Sequence, residues 1–408
     1  DCSSNPFPSL PTLPNSLKTL TCQGNQFQSA GLPALPDSLV SLYCSGSHLN
    51  SLPLLPQRLT IIYCNGNNLT TLPALPASLT QLYCQNNYIT SLPPFPNSLG
   101  VFHCEFNQLQ TLPPLSSNLY WLEAYHNQLT SLPSLPNGMR YLRCDQNQLT
   151  ALPTIPPSVT SLLCDLNQLT YIPALPDSLQ NFGCSNNTNL HCLPELKRVV
   201  SLNFTNTAVT CLPNYPQGNT YSNPSLSSVP LCGLFNNNGC PVFWNISGKV
   251  YNDANNNCIA DMNESGYPNF KVMLDSAGSL QQQVYTGSEG FYSFDTRYGT
   301  YTYSVDTAGL PVYINCPANG VNTSVITALD SLDYSMNFGM RCKPGFDVGA
   351  WSVLDYVIFR PNAVVTVNFS AGDYTQFFGA NCAAGTSGTV TVTFSGPVTY
   401  YGNAGSLT

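Results

Sequence analysis

Charged side chains are scarce in this chain, and their scarcity argues against several classes of protein. Only 8% of the 408 residues are charged, with 12 Lys and Arg against 20 Asp and Glu. Binding to nucleic acid needs clustered basic side chains, so a formal net charge of −8 argues against it. Disordered chains are poor in aromatic residues, whereas this chain has 23 Tyr and 19 Phe. We therefore expect an ordered protein that does not bind nucleic acid.

Long apolar runs and catalytic motifs are also missing from the sequence. No run reaches the length of about 18 apolar residues that a transmembrane helix needs, so no transmembrane segment is predicted. No C-x-x-C pair of the kind that binds zinc is present. Only four His occur, and none lies in a nucleophile or metal motif, which favours a protein that is not an enzyme. The chain starts at Asp1 without Met or signal peptide, so we expect a processed or truncated product.

A repeat of twenty residues dominates the first half of the chain. The unit reads L-x-x-L-x-C-x-x-N-x-L-T-x-L-P-x-L-P-x-S, and ten copies begin between Leu17 and Val199. A two-residue insertion separates the first two copies, and Ala124 replaces Cys in one copy. The remaining copies carry the repeated Cys, here called the ladder Cys, at Cys22, Cys44, Cys64, Cys84, Cys104, Cys144, Cys164 and Cys184.

The spacing within the unit predicts a solenoid of short strands. Alternate residues of a strand face opposite sides, so Leu82 and Cys84 should enter the core while Tyr83 faces outward. The Asn that recurs three residues after the ladder Cys can satisfy backbone groups where each strand ends. Proline prevents the L-P-x-L-P segment from forming a helix, so we expect an extended return. Stacked coils then share one continuous core that a single coil cannot bury.

This unit resembles the short bacterial type of leucine-rich repeat, and the version with Tyr-Cys before the Asn is most similar to surface proteins of Bacteroidota. The resemblance covers about residues 10–215. It implies a solenoid of 20-residue repeats. After Pro241, alternating strand patterns with Gly, Asn and Asp turns predict one or two β-sandwich modules, so the expected fold class is mainly β. We expect the solenoid and its C-terminal cap over 1–240, a β-sandwich over 241–340, and an incomplete Ig-like β-module over 341–408.

The 17 Cys fall into two groups. The ladder Cys occupy a core position, and we interpret them as buried free thiols because their parallel Cβ vectors do not favour bridging. Disulfides are the alternative for these residues. Outside the ladder, Cys232 and Cys240 close a short loop where the repeats end. The disulfide candidates are Cys192 and Cys211 in successive coils, Cys232 with Cys240, Cys258 with Cys316, and Cys342 with Cys382.

The outward strand positions of the middle repeats are rich in aromatic residues, which are common where proteins meet their partners. Stacked Tyr can also simply stabilise neighbouring strands, and we favour this interpretation for the stripe from Tyr43 to Tyr83. Around Trp121 the cluster is irregular, which favours binding of a glycan or protein on the concave face. The candidate ligand-binding residues are Tyr83, His103, Phe106, Tyr120, Trp121, Tyr125, His126 and Tyr141.

A loop after the solenoid has the spacing of a calcium site. Position one is Asp253, and Asn255, Asn257, the Ile259 carbonyl, Asp261 and Glu264 follow at positions three, five, seven, nine and twelve. Calcium prefers six to eight oxygen ligands, which this set supplies. Cys258 stands where the motif has Gly, and β-type sequences flank the loop, so a helix-loop-helix is not expected. A solvated Asn/Asp turn is the alternative.

With G-K-V-x-x-D-x-N before the loop and E-x-G after it, this region is similar to calcium-bearing B-type modules of bacterial surface adhesins. The C-terminal stretch resembles stalk modules exported by the type IX pathway. The resemblance to Bacteroidota proteins also implies O-glycosylation at Asp-Ser/Thr followed by a small apolar residue. The candidates are Ser38, Ser178, Ser276, Thr307 and Ser331.

Two functions fit these features. The first is an extracellular cell-surface adhesin, whose concave face binds a glycan or protein while the β-modules form a stalk stiffened by Ca²⁺. The second is a structural component or secreted cargo of a larger surface or filament assembly, with no small ligand. Secretion or surface-anchoring machinery is an expected partner in either case.

Overall fold

The computed structural model describes residues 1–28, 30–232, 238–261, 263–310, 312–343, 348–352 and 369–373. The chain divides into two compact units, Asp1–Phe243 and Trp244–Thr408. Within the described ranges the regular structure is β-strand, apart from one short 3₁₀ helix at Leu226–Ser228. No helix of the described part is long and apolar enough to cross a membrane. The mainly β fold class is thereby confirmed.

Eleven short strands of the first unit form one parallel sheet in chain order. Each strand pairs in register with the next, as Leu20 does with Leu42. The ten predicted repeats are followed by one further strand, which the sequence pattern does not predict because Ser222 replaces its central Leu. The strands are β1 Thr19–Thr21, β2 Ser41–Tyr43, β3 Ile61–Tyr63, β4 Gln81–Tyr83, β5 Val101–His103, β6 Trp121–Glu123, β7 Tyr141–Arg143, β8 Ser161–Leu163, β9 Asn181–Gly183, β10 Ser201–Asn203 and β11 Tyr221–Asn223.

The core of the solenoid follows from the alternation of side chains along each strand. Leu82 and Cys84 are fully buried, whereas Tyr83 between them is partly exposed. Eight ladder Cys are buried free thiols, as predicted, and Cys2 adds a partly exposed free thiol before them. Burial raises the pKa of these thiols, for example to about 12 for Cys64. They therefore act as small apolar side chains of the core.

The Asn ladder joins successive coils, as the sequence predicts. The amide nitrogen of Asn107 donates to the carbonyl oxygens of Cys84 and Cys104, each at 3.0 Å. Its amide oxygen accepts from the backbone N–H of Ile89 at 2.9 Å. The same arrangement recurs at other Asn of the ladder, which are buried. One side chain thus pairs backbone groups of two coils where the strands end.

The residue before each ladder Asn takes a positive φ, which turns the chain away from the sheet. In the early repeats this residue is Gly, as at Gly66 before Asn67 with a φ of 67°. Later repeats place larger residues there, including Phe106 at 54° and His126 at 54°. A side chain with Cβ in this conformation costs about 1 kcal/mol. The turn geometry is therefore imposed by the stack of coils and not by local preference.

Two disulfides close the C-terminal end of the solenoid. Cys211 bonds to Cys232 with the Cα atoms 4.8 Å apart, and Cys192 bonds to Cys240 at 5.4 Å. The predicted pairing of Cys232 with Cys240 across a short loop is therefore wrong, as is any bond between Cys192 and Cys211. The physical reason is stacking, because the chain after Leu231 runs beside Leu212 and brings Cys232 over Cys211. Cys240 then lies beside the backbone of His191.

Eight strands of the second unit form two four-stranded sheets over one core. In one sheet β12 (Ile246–Asn252) pairs antiparallel with β15 (Phe291–Phe294) and parallel with β19 (Phe338–Cys342), and β17 (Val312–Cys316) pairs with β19. In the other, β13 pairs with β14 and β16, and β16 with β18, all antiparallel. The strands are β12 Ile246–Asn252, β13 Lys271–Ser276, β14 Ser279–Tyr285, β15 Phe291–Phe294, β16 Gly299–Val305, β17 Val312–Cys316, β18 Val321–Ile326 and β19 Phe338–Cys342.

The buried side chains between these sheets come from both of them, including Val250 and Phe338 from one sheet and Val272 and Tyr303 from the other. A two-layer β-sandwich results, as the sequence predicts for this region. Gly266 explains the E-x-G motif, since a Cβ there would lie 1.8 Å from the Glu289 carbonyl oxygen.

Two further strands, β20 at Val348–Ser352 and β21 at Phe369–Asp373, pair antiparallel. Apart from these two strands and residues 341–343, the Ig-like β-module expected over 341–408 lies outside the described residues. Cys382, suggested as the partner of Cys342, also lies outside them.

Candidate binding face and calcium loop

The parallel register brings the candidate binding residues to one side of the sheet. In β1 to β10 the central residue is buried, so the first and third residues form what we call the outer face. In register, Val101 pairs with Trp121 and His103 with Glu123. Trp121 in turn pairs with Tyr141, and Glu123 with Arg143. Side chains that are twenty residues apart in the sequence therefore become neighbours on the outer face.

Aromatic rings form a continuous stack across six strands of this face. Along the predicted Tyr stripe the ring centroids lie 5.2 Å apart for Tyr43 and Tyr63, and 4.0 Å apart for Tyr63 and Tyr83. His103 continues the stack at 4.7 Å from Tyr83.

Beyond His103 the stack moves to the first strand position. Trp121 lies 5.6 Å from the His103 ring and 4.9 Å from Tyr141. Tyr141 is 42% exposed, as is Tyr120 just before β6. These two rings, Trp121, Gly138 and Arg140 line a cleft of about 470 Å³. The cleft provides flat apolar surfaces beside a guanidinium group.

Charged groups lie beside the stack on the third strand position. The Trp121 indole N–H donates to Glu123 at 3.0 Å. His103 Nδ1 lies 3.9 Å from a carboxylate oxygen of Glu123 and 3.9 Å from one of Glu105. Burial lowers the pKa of the His103 imidazole, and the charge of Glu123 opposes this effect. Burial also raises the pKa of the Glu105 carboxyl to about 7.

A second aromatic cluster occupies the turns that follow these strands. The Phe106 ring stacks on His126 at 4.3 Å and meets Tyr125 edge-on at 5.3 Å. The Arg143 guanidinium lies 3.7 Å from the centre of the Tyr125 ring, and it donates to Asp145 at 2.9 Å. Cations over aromatic faces are stabilised by the ring quadrupole. This cluster therefore combines exposed rings with a fixed positive charge.

The structure thus places the eight predicted residues in two groups. Tyr83, His103, Tyr120, Trp121 and Tyr141 belong to the strand stack and its cleft, and the other three form the turn cluster.

Sequence reasoning missed Glu105, Arg140 and Asp145, which lie among the predicted residues. The signal was available for Glu105, because it follows His103 by two positions and alternation carries it to the same side. Arg140 precedes β7 as Tyr120 precedes β6, so the repeat alone could have placed the two side by side.

The predicted calcium loop folds so that its acidic and amide side chains converge. Asp253 is fully buried and accepts from the backbone N–H of Asn257 at 3.1 Å. The amide groups of Asn255 and Asn257 both approach one carboxylate oxygen of Asp261, at 2.8 and 2.9 Å. Glu264 is also buried, and it accepts from the backbone N–H groups of Ala254 and Asp261. Three carboxylates therefore lie together within one short loop.

Cys258 occupies the loop position at which the calcium motif has Gly. The calcium motif uses Gly there for a sharp turn, and Cys258 adopts that turn with a φ of 62°. A disulfide joins it to Cys316 on β17, the partner suggested from the sequence. Asn315, next to Cys316, donates to Asp253 at 2.8 Å. The loop is thus attached to the sandwich at the carboxylate of its first position.

The residues present fit a calcium ion by their chemistry. Carboxylate and amide oxygens are hard ligands of the kind that calcium prefers. A bound cation would also offset the repulsion between the three clustered carboxylates. The nearby Lys249 donates to the backbone carbonyl of Glu264 at 2.8 Å and not to its carboxylate. Rotation of the Asn255 and Asn257 amides would present their oxygens in place of their nitrogens.

The glycosylation candidates differ in the hydrogen bonds that their hydroxyl groups form. Ser178 donates to the carbonyl oxygens of Pro157 and Val159 in the previous coil, each at 2.7 Å. Ser38 likewise donates to Leu17 at 2.6 Å, so both have a structural role in the turn. Ser276 donates to the carbonyl oxygen of Thr300, while Thr307 and Ser331 are partly exposed and lie outside the strands of the sandwich.

Comparison with known families identifies the second unit in part. The family described as the SdrD B-like domain matches residues 244–334, which is less than half of the chain. No curated protein matches the chain significantly.

Several solved structures are similar to the chain. YopM from Yersinia enterocolitica is 29% identical, with 54% of this chain and 49% of that chain covered and a TM-score of 0.43. YopM from Yersinia pestis, described as a leucine-rich effector protein, is 34% identical, with 50% and 59% covered and a TM-score of 0.47. A Shigella effector LRR domain is 32% identical, with 38% and 71% covered and a TM-score of 0.34.

The chain spans about half to three fifths of the length of the two YopM chains. Its own repeat geometry, with one short parallel strand per coil, carries the assignment of the first unit. Residues 1–243 are thus a solenoid of the leucine-rich-repeat type, and the unit that follows contains a β-sandwich whose sequence matches the SdrD B-like domain.

Proposed function

We propose that this protein is an extracellular, adhesin-like surface protein whose solenoid binds a glycan or a protein through the outer face of its middle repeats. A leucine-rich-repeat solenoid and an SdrD B-like domain together fit a surface protein in general. The observation that carries the binding role is the cleft in which Tyr120, Trp121 and Tyr141 stand beside Arg140. Flat rings beside polar groups suit both sugar rings and protein side chains.

Position in the repeat supports binding over a purely structural role. The Tyr stripe from Tyr43 to Tyr83 recurs at one position of successive coils, as cross-strand stabilisation requires. Tyr120 and Trp121 break that regularity, and Tyr120 remains 42% exposed. Exposed aromatic rings that the repeat does not need are favourable contact points for a partner.

The same proposal includes a bound calcium ion, an export pathway and sites of O-glycosylation. We propose that Ca²⁺ binds through Asp253, Asn255, Asn257, the Ile259 carbonyl, Asp261 and Glu264, and that it stiffens the β-sandwich as part of a stalk. Export and anchoring by a type IX pathway of Bacteroidota belong to the same proposal, as does O-glycosylation at Ser276, Thr307 or Ser331. No catalytic role is proposed for any residue.

A glycan array probed with the whole chain tests the binding role. We expect a restricted set of glycans to bind the wild type and to be lost with Trp121→Ala, because the indole forms one wall of the cleft. The control is Tyr171→Ala, which removes an exposed ring outside the cleft. Probing an array of extracellular proteins with the same variants covers the protein ligand. Equal signals from all three forms would contradict the proposed site.

A further inference from the structure

Three side chains of the outer face converge from two neighbouring coils. His103 ends β5, and Glu105 follows two residues later with a carboxylate oxygen 3.9 Å from His103 Nδ1. Glu123 pairs with His103 in the parallel register. One nitrogen of His103 and one oxygen of each carboxylate lie within 4.8 Å of one another. The register of the repeats is therefore sufficient to assemble this triad.

The distances from the His103 nitrogen to the two carboxylates are too long for hydrogen bonds. His103 Nδ1 lies 3.9 Å from an oxygen of Glu105 and 3.9 Å from an oxygen of Glu123. Donor and acceptor atoms in such bonds are about 2.7–3.2 Å apart. Two ligands of one tetrahedral zinc ion lie about 3.3 Å apart, given metal–ligand bonds of about 2.0–2.1 Å. Small side-chain rotations would therefore bring all three atoms to bonding distance of one ion.

The second observation is a buried carboxylate oxygen that lacks a partner. The side chain of Glu105 is only 7% exposed, and its Oε2 has no hydrogen-bond donor among the described residues. An unpaired buried carboxylate oxygen is costly, and a bound cation removes that cost.

We propose that His103, Glu105 and Glu123 bind a divalent transition-metal ion, with Zn²⁺ as the best match. One imidazole and two carboxylates form a ligand set that zinc accepts in four-coordinate sites. Calcium is a poorer match because it prefers oxygen ligands alone. Three protein ligands leave a fourth position for water or for an oxygen of a bound partner. This site is independent of the calcium loop and does not require the proposed glycan or protein binding.

The surroundings hold the three ligands in place. The His103 ring lies between the rings of Tyr83 and Trp121, which restricts its rotation. Trp121 donates to the second oxygen of Glu123, so the other oxygen remains directed to His103. Outer hydrogen bonds of this kind orient metal ligands. The positive charge of Arg143 is paired with Asp145 and not with the triad carboxylates.

Isothermal titration calorimetry with ZnCl₂ tests the site on the whole, chelator-treated chain. Millimolar CaCl₂ in the buffer keeps the calcium loop from competing for the metal. We expect one tight Zn²⁺ site in the wild type and at least tenfold weaker binding in His103→Phe and Glu105→Gln. Phe keeps a ring in the stack, and Gln keeps the shape of Glu105 without its charge. His126→Phe, in the neighbouring aromatic cluster, is the matched control and should bind as the wild type does.

Anomalous diffraction at the zinc edge locates the ion independently of the variants. A peak between His103 Nδ1 and the two carboxylates supports the site, whereas a peak elsewhere overturns it. Absence of tight binding by the wild type, or equal affinity in all variants, overturns it as well. Circular dichroism confirms that each variant is folded, and Glu123→Gln replaces any variant that is not.

Discussion

The Asn ladder shows how much a single side chain contributes in a solenoid. Asn107 donates to two carbonyl groups and accepts from one N–H, and these groups belong to adjacent coils. No other side chain of the repeat unit can replace all three contacts, since they need a donor and an acceptor on one short side chain. Ser47 occupies this position in one coil and makes only part of the set, since its hydroxyl donates to the Cys22 carbonyl and accepts from the Asn25 N–H. Asn recurs in the other coils because it pairs more of the backbone groups at the end of a strand.

Replacing Asn107 by Ala should destabilise the solenoid by about 2–4 kcal/mol, because it leaves buried backbone groups without partners. Chemical denaturation followed by circular dichroism measures the change. The matched control is Gln108→Ala, because Gln108 is the exposed neighbour and, among the described residues, only its backbone forms a hydrogen bond. Equal stability of Asn107→Ala and Gln108→Ala would contradict the role of the ladder.

The positions of some single residues could be predicted from the sequence, and those of others could not. The aromatic residues of the outer face could be predicted because the repeat fixes which positions face outward. Glu105 was missed because charged residues in turns are usually solvated, and only the stack of coils buries it. The disulfide partners of Cys232 and Cys240 depend on how the last coil folds, for which the sequence pattern has no signal.

At the level of structural elements, the loop Asp253–Glu264, for which we propose a bound Ca²⁺, is attached to the β-sandwich. Its first carboxylate is buried and accepts from Asn315, and its sixth position is joined by a disulfide to Cys316. A bound ion would therefore stabilise the strands on both sides of the loop. Its spacing was recognisable in the sequence, whereas its attachment to β17 required the structure.

Removal of calcium should lower the melting temperature of the second unit alone. An ion at about one hundred times its dissociation constant stabilises by about 2.7 kcal/mol, which corresponds to about 5–10 °C for a unit of this size. Differential scanning calorimetry with and without chelator measures the shift, and the transition of the solenoid is the internal control. Asp253→Asn should melt as the chelated wild type does. A melting profile that chelator leaves unchanged would refute the calcium assignment.

For the molecule as a whole, the buried thiols make the stability of the solenoid sensitive to alkali. Burial raises the pKa of the ladder Cys above the ordinary value of 9.0, to about 12 for Cys22 and Cys64. Below pH 9 these thiols are protonated in the folded and unfolded chain alike. As the pH rises above 9, only the unfolded chain ionises, so the free energy of unfolding falls.

At pH 10 each such thiol should lower the free energy of unfolding by about 1.4 kcal/mol. Eight buried thiols together approach the 5–15 kcal/mol that typically stabilises a domain, so unfolding is expected between about pH 9 and pH 11. Circular dichroism in oxygen-free buffer measures the midpoint, without a reductant that would break the two disulfides of the solenoid. Cys104→Ala, which copies the natural Ala124, should move the midpoint to higher pH. Persistence of the fold above pH 11 would show that the thiols are not buried as described.

The fold at this scale was largely predictable, because the twenty-residue period and the alternation within each strand determine both the sheet and the core. The final strand, Tyr221–Asn223, was not, since it lacks the apolar central residue.

The central claim is that the outer face around Trp121 binds an extracellular partner. Surface plasmon resonance with the partner found by array tests it most directly, comparing Trp121→Ala and Tyr141→Ala with the exposed controls Tyr88→Ala and Tyr171→Ala. The account predicts at least tenfold weaker binding for the first pair and a change of less than about twofold for the controls, since loss of a central aromatic contact costs about 2 kcal/mol or more. Equal affinity across all four variants would contradict it.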